Sequence, residues 1–320
     1  MSGLYLGTDL GGTTIVSGVV DESGKLLSRI SLPTPQDPHL IADAITRSCQ
    51  LALEQCKVPI QSVEALGVGV PGSIFPENTV SFACNLHMSN FPLGGQLQQR
   101  LSLPVYLEND GNCAAVGEYM AGCGRGRHSL LCVTIGTGIG GGFISAGRLW
   151  RGVNGCAMEI GHMVINHRGP VCACGRNGCF ETLASTSALI RRCREYIHEV
   201  PDSYCANIAR QQGQINGQTV FLAMDAGDTG AAQLFNDYTA DLACGLTNLV
   251  NILQPEVLCI GGGISAQGER LLAPVRRQIM EAAYARDCPP EIQILPAALG
   301  NDAGLLGAAF LKRLKEINTL

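Results

Sequence analysis

Two stretches of this chain share one pattern: an apolar run, a glycine-rich turn, and a second apolar run. They are "LYLGTDLGGTTIVSGVV", from residue 4, and "SLLCVTIGTGIGGGFISAG", residues 129–147. Apolar runs joined by a glycine turn pair as antiparallel hairpins. After the first hairpin an "ESG" turn leads to a third apolar run, which extends it to a β-meander. Residues 40–56 then place Ile41, Ile45, Cys49, Ala52 and Cys56 three or four apart, the spacing of a helix. "VEALGVGVPG" reads as a buried strand, and "LPVYLENDGNCAAVGEYMAG" as strand, polar turn and helix. Behind the second hairpin come helices at about 185–199 and 231–253, the latter with Leu234, Tyr238, Leu242, Leu246 and Leu249 on one face. A strand in "EVLCIGGGIS", a helix from about 268 and a last helix in "AGLLGAAFLKRLKEI" follow. Two halves that each open on a glycine hairpin indicate an internal structural repeat, with no sequence identity implied. The expected class is α/β, with two lobes and a cleft between them. The boundary is set near residue 115, where no low-complexity linker marks it. The smaller lobe is 1–115 with a C-terminal helix at about 301–320 crossing back to it, and the larger is 116–300.

A chain of 320 residues with 46% hydrophobic and 15% charged residues fills a large core easily. The net charge of −5 and the absence of a basic block argue against a nucleic-acid surface. The N-terminus lacks a basic region followed by an apolar segment, so no signal peptide is expected and the cytoplasm is the expected compartment. Residues 129–147 carry no charge, yet six of them are glycine, which favours strand, turn and strand over a membrane span. Fifteen cysteines without a secretory signal do not imply a disulfide framework. Most sit in apolar runs and read as small buried hydrophobes.

Three glycine-rich turns, at 9–14, 136–142 and 260–265, each follow an apolar strand. "GTGIGG" matches G-x-G-x-x-G, and Glu159 lies about where a ribose-binding acid would fall. The dinucleotide fingerprint nevertheless requires a helix directly after the glycines, and here a strand-like run follows. No Gly-Lys-Ser/Thr loop occurs. Singly, such turns are mere turns. Three of them, two with threonine beside glycine, fit phosphate, because glycine lets backbone N–H groups approach and threonine adds a hydroxyl. Asp9 ahead of the first turn is placed to hold Mg²⁺ directly or through water. In "LENDGN", Asp110 reads either as a helix N-cap or as a general base, with Asn109 beside it for a substrate hydroxyl.

"EIGHMVINHRGPVCACGRNGCFE", residues 159–181, gathers Cys172, Cys174 and Cys179. It has no Cys-x-x-Cys, and a disulfide would leave one thiol over. Three thiolates and one imidazole make a closed Cys₃His zinc site of the structural type. His162 and His167 both compete for the fourth position.

Nearly end to end, the chain resembles the ROK family of sugar kinases and related repressors. The resemblance is carried by "DLGGTT", "GVGVPG", "CNL", "ENDGNCAAVGE", "GTGIGGG", "EIGH" with "CACGRNGCFETLAS", "LQPEVLCIGGGIS" and "GLLGAA". The Cys/His pattern is highly specific, and the glycine loops alone are not. The resemblance implies a two-lobed actin/Hsp70/hexokinase-like fold with an interlobe cleft and a small zinc-stabilised loop subregion. It implies ATP-dependent phosphorylation of a hexose with Asp110 as base, and sugar contacts from Asn109, Glu159, His162 and Glu181, with Gly72 and Asn85 as further ones. The nucleotide would lie among Asp9, Gly11, Gly12, Thr13, Thr14, Gly136, Thr137, Gly138, Gly140, Gly141, Gly261, Gly262 and Gly263. The implied cofactors are ATP, Mg²⁺ and a structural Zn²⁺ on His162, Cys172, Cys174 and Cys179. A homodimer is usual for the family. Thr14 stands where many members carry lysine, and Met88 where glucose-acting members often carry an aromatic. Glucose at its 6-hydroxyl is the expected substrate. The alternatives are mannose, fructose, allose, N-acetylmannosamine and N-acetylglucosamine. A sugar-sensing regulator is the reading from another class. The first strand begins by residue 4, which leaves no room ahead of it for a DNA-binding module. A zinc-stabilised binding protein without catalysis is the third, disfavoured by Asp110.

Overall fold

The structure is a computed structural model that describes residues 3–75 and 77–317. It forms two compact units. The first comprises the described residues up to Val133, with Gly141–Met158 and those from Ala297 onward; the second comprises Thr134–Gly140 and Glu159–Pro296.

In the first unit, β1 (Leu4–Leu10), β2 (Thr14–Asp21) and β3 (Leu26–Pro33) make the expected antiparallel meander. Leu6, Leu10, Ile15 and Val19 are wholly buried. Helix α1 (Ile41–Cys56) buries Ile41, Ile45, Cys49 and Ala52, the stripe that the three-and-four spacing marks. Burying each isoleucine contributes about 1.5–3 kcal/mol. Strand β4 (Val63–Val70) runs parallel to β1. Next comes a small antiparallel sheet of β5 (Ser73–Phe75), β6 (Thr79–Ala83) and β7 (Met88–Phe91), absent from the sequence reading. Strands of three to five residues are too short to display a period. Helix α2 (Leu93–Leu101) leads to β8 (Val105–Asn109), parallel to β4, and the main sheet has the order β3-β2-β1-β4-β8. Helix α3 (Asp110–Ala121) begins at once, so the expected polar turn is not there.

The second glycine hairpin is β9 (Ser129–Ile135) and β10 (Ile139–Ser145), followed by β11 (Arg148–Leu149). Residues 129–147 are thus strand, turn and strand, and no described helix is long and apolar enough to cross a membrane. Of this hairpin only Thr134–Gly140 belongs to the second unit, whose helices are α4 (Phe180–Ala184), α5 (Thr186–Glu199), α6 (Tyr204–Gln212), α7 (Thr219–Asp225) and α8 (Thr229–Leu253). Strand β12 (Val257–Gly261), α9 (Glu269–Ala282) and β13 (Gln293–Pro296) complete it. Strands β12 and β13 pair in parallel, and the second five-stranded sheet has the order β11-β10-β9-β12-β13. On α8, Tyr238, Leu242, Leu246 and Leu249 are buried as expected, while Phe235 rather than Leu234 joins them.

The last expected helix is two, α10 (Ala303–Ala309) and α11 (Leu311–Ile317), parted at Phe310. Helix α10 packs on α3, β1 and β4. Glycines make that approach possible. A Cβ on Gly67 would lie 1.8 Å from the Ala308 carbonyl oxygen, and one on Gly307 would lie 1.7 Å from that of Cys113. The neighbours are backbone and cannot step aside cheaply. Gly307→Ala is expected to cost about 1–3 kcal/mol, read as a lower urea midpoint. Residue 115, near which the boundary is expected, falls inside α3, which α10 holds to the first sheet, and the chain leaves the first unit after Val133.

Candidate active site

In the first unit the reacting candidates stand at the ends of β1 and β8. Asn109 ends β8 and caps α3, its Oδ1 accepting from the Asn112 N–H at 3.2 Å. Asp110 is therefore not the cap. It is the first helical residue, and its Oδ1 accepts from the Gly111 N–H at 2.8 Å. Capping thus belongs to Asn109, and the Asp110 side chain is left for other work. Asn109 also donates through Nδ2 to the Gly72 carbonyl at 3.2 Å. Gly72 lies against β6, where a Cβ would come 2.3 Å from the Phe82 carbonyl oxygen.

Asp110 is open to solvent yet recessed among protein atoms, and the lost hydration raises its carboxyl above the usual range. Half-buried Asp9 is pushed up to about 6, first by burial and then by the negative charge of Asp110, with Arg29 opposing. The two carboxylates are thus near enough for their charges to repel, a repulsion that a cation between them would relieve.

The first glycine turn is closed on itself. The Gly11 N–H donates to the Thr14 carbonyl at 2.9 Å, and the Thr34 hydroxyl donates to the Gly11 carbonyl at 2.7 Å. Gly11 therefore shapes the turn with its N–H. Thr13 and Thr14 are exposed, and Gly12 lies beside exposed Asn85, with 3.5 Å from its Cβ position to that of Asn85. Gly141 belongs to this unit and abuts Gly111.

In the second unit, Gly136, exposed Thr137 and Gly138 form a turn closed by the Gly136 N–H donating to the Gly138 carbonyl at 3.0 Å. Gly140 follows in β10. A Cβ on Gly138 would lie 2.6 Å from Glu181 Oε2, so this turn and Glu181 adjoin. The Thr186 N–H donates to the Gly136 carbonyl at 2.9 Å, tying the turn to the start of α5. The third turn, Gly261, Gly262 and Gly263, is held to the second: Gly262 has φ +87°, and its Cβ position is 2.3 Å from the Ile135 carbonyl oxygen. Only glycine fits there.

Exposed Glu159 opens a 3₁₀ turn, Ile160–His162, and the His162 N–H donates to its carbonyl at 3.0 Å. His162 Nδ1 lies 3.6 Å from Cys172 Sγ, and Cys174 Sγ lies 3.6 Å from Cys179 Sγ. The ligand atoms of His162, Cys172, Cys174 and Cys179 all fall within 4.8 Å of one another. Tetrahedral zinc, with Zn–S about 2.3 Å and Zn–N about 2.0–2.1 Å, separates its ligands by about 3.5–3.8 Å. The donor set fits that ion. His167 is exposed and lies outside the group. Glu181 Oε1 stands 3.2 Å from Cys172 Sγ and 3.5 Å from His162 Nδ1. Burial pushes the Cys172 thiol up to about 12, so binding a metal there must expel a proton.

Behind this loop, α4 carries Glu181 and is braced by α8. The buried Phe180 ring presses on Gly245, where a Cβ would lie 2.3 Å from a ring carbon, and the Tyr238 hydroxyl donates to the Ala184 carbonyl at 2.9 Å.

Two residues escaped the sequence reading. Glu108, 4% exposed, accepts from the Asn109 N–H at 3.0 Å and from Asn112 Nδ2 at 2.9 Å, and it pairs with Arg151. An acid directly before "ND" was a usable signal for Glu108. Nothing local marks Arg151, which lies 43 residues along the chain from it.

The fold is that of the ROK sugar kinases. A solved ROK family glucokinase from Streptomyces griseus, in complex with glucose and AMPPNP, matches with a TM-score of 0.83 at 37% identity, covering 97% of this chain and 99% of its own. The chain belongs to the ROK family, whose family model matches residues 5–315. The glucokinase of Streptomyces coelicolor is 37% identical over 97% of this chain and 98% of its own length. That of Halalkalibacterium halodurans is 35% identical over 98% and 96%.

Proposed function

We propose that this chain transfers the γ-phosphoryl group of ATP to the 6-hydroxyl of glucose. The observation that carries the reading is Asp110. It is a solvent-open acid with a raised pKa at the head of a helix that another residue caps, beside a second acid. A base nearer neutrality is better matched to taking a proton at working pH. In the proposed step the sugar O6–H proton passes to an Asp110 carboxylate oxygen. The O6–Pγ bond forms, the bond from Pγ to the β–γ bridging oxygen breaks, and ADP departs. Phosphoryl transfer asks mainly for alignment and charge neutralisation.

Asn109, Glu159, His162 and Glu181 are assigned to sugar hydroxyls, with Gly72 and Asn85 as weaker sugar contacts. The turns at 11–14, 136–141 and 261–263 are assigned to the nucleotide. Mg²⁺, held at Asp9 directly or through water, supplies neutralisation of phosphate charge when bound. Zinc is assigned a purely structural place on His162 Nδ1 and the three thiolates. The remaining His162 ring nitrogen then keeps its proton and donates to a sugar oxygen. Met88 is 2% exposed and packs in the core, so its departure from the aromatic-bearing members bears first on packing. The regulator reading shares this fold, but the identity to enzymes named glucokinase favours catalysis. A homodimer, as the family resemblance implies, and a cytoplasmic location, as the N-terminal sequence suggests, complete the proposal.

The test is sugar-dependent ADP release with Mg-ATP across glucose, mannose, fructose, allose, N-acetylglucosamine and N-acetylmannosamine. Glucose is expected to give the highest kcat/KM. A different leading sugar overturns glucose, and no turnover with any of them overturns the kinase reading.

A further inference from the structure

We infer that Glu108 and Arg151 act as positioning residues, a buried ion pair that holds Asn109 and the head of α3 in register for the reaction. This rests on the reading of Asn109 and Asp110 as reacting-site residues.

Glu108 lies within β8 with 4% of its surface exposed. A carboxylate so placed is costly unless paired and hydrogen-bonded. Its two oxygens divide the work. Oε1 accepts from the Asn109 N–H at 3.0 Å and from Asn112 Nδ2 at 2.9 Å, and Oε2 takes the Arg151 guanidinium. Asn112 is 1% exposed, and its Oδ1 has no hydrogen-bond partner, so Glu108 is what its amide holds on to. Asn112 in turn offers its backbone N–H to the Asn109 cap. Glu108, Asn109 and Asn112 therefore form a closed ring of contacts around the residue that precedes Asp110. Arg151 locks the ring from outside.

The lock can be reached. Glu108 and Arg151 line a cavity of about 280 Å³ in the first unit, with Tyr106, Val153, Leu311 and Lys315 among its walls. Without the guanidinium, the Glu108 carboxylate faces that cavity uncompensated. Water or a proton then competes for its oxygens, and the hold on Asn109 and Asn112 slackens. Displacement of a catalytic group by about 1 Å costs on the order of 10²-fold in rate.

The variants are Arg151→Ala and Glu108→Ala, assayed with and without millimolar guanidinium ion, far below denaturing concentrations. Arg151→Ala is expected to lose about 10- to 100-fold in kcat/KM for the sugar, with the KM for ATP little changed. Guanidinium entering the cavity is expected to restore much of that loss. Glu108→Ala, which has no carboxylate for the ion, is expected to stay impaired; should it not fold, Glu108→Gln takes its place. Parental kcat/KM in Arg151→Ala, a loss that guanidinium does not relieve, or equal rescue of both variants overturns the inference. Asp110→Asn separates the two levels. If it turns over normally, the kinase-site reading falls. If it is inactive while Arg151→Ala matches the parent, the positioning inference alone falls.

Discussion

An Asp110→Asn variant is expected to lose about 10²- to 10⁴-fold in kcat while binding sugar and nucleotide nearly as the parent does. Asparagine has the same shape. Its Oδ1 can still accept from the Gly111 N–H, so the first turn of α3 keeps its form. It cannot take a proton. The loss therefore isolates proton acceptance from positioning, because Asn109 and its cap remain. Coupled ADP release gives kcat, and titration calorimetry gives sugar affinity. A variant with near-parental kcat removes Asp110 from the role of base. One that no longer binds sugar assigns it to binding instead.

The second large effect is expected at the cysteine loop. The purified protein should carry one zinc per chain, and Cys172→Ser, Cys174→Ser or Cys179→Ser should lose it. The sugar KM should then rise about 10- to 100-fold, the scale on which disturbed metal shells act, and thermal stability should fall with it. The physical route is short. Cys179 directly precedes α4, which carries Glu181, and His162 belongs to the same turn as Glu159. Loosening the loop loosens three assigned sugar contacts together. His167→Ala should keep both metal and activity, since His167 stands outside the ligand group. Fully active protein without metal overturns the zinc assignment.

Much of this fold was legible because its longer elements carry a local signal. Helices α1 and α8 show a period of about 3.6 over enough residues to be read, and the meander and both glycine hairpins show apolar runs divided by turn residues. The β5–β7 sheet was not, since its strands are brief and depend on each other rather than on a local pattern. The break at Phe310 was missed because "AGLLGAAFLKRLKEI" stays apolar and helix-favouring throughout. At the candidate site, residue type and spacing marked Asn109, Asp110 and the Cys/His group as candidates, and the family resemblance added Glu181. Which of Asn109 and Asp110 caps α3 is a matter of backbone angles, and which histidine faces the thiols is a matter of loop path. The ion pair of Glu108 with Arg151 joins residues far apart in the chain, and no motif spans that interval.

The seating of α10 against Gly67 and Cys113 has a consequence for biosynthesis. The first sheet is translated in full by Asn109, but the helix that covers it ends at Ala309, 200 residues later. At about 5–20 residues per second the ribosome needs roughly 10–40 s for that interval. Throughout it, the bare grooves over β1 and β4 wait for a partner not yet made, while nearly all of the second unit emerges and can close on itself. The nascent chain thus passes through a stage in which its earlier portion is unfinished whatever its later portion has done, and in that stage a chaperone would have apolar surface to hold.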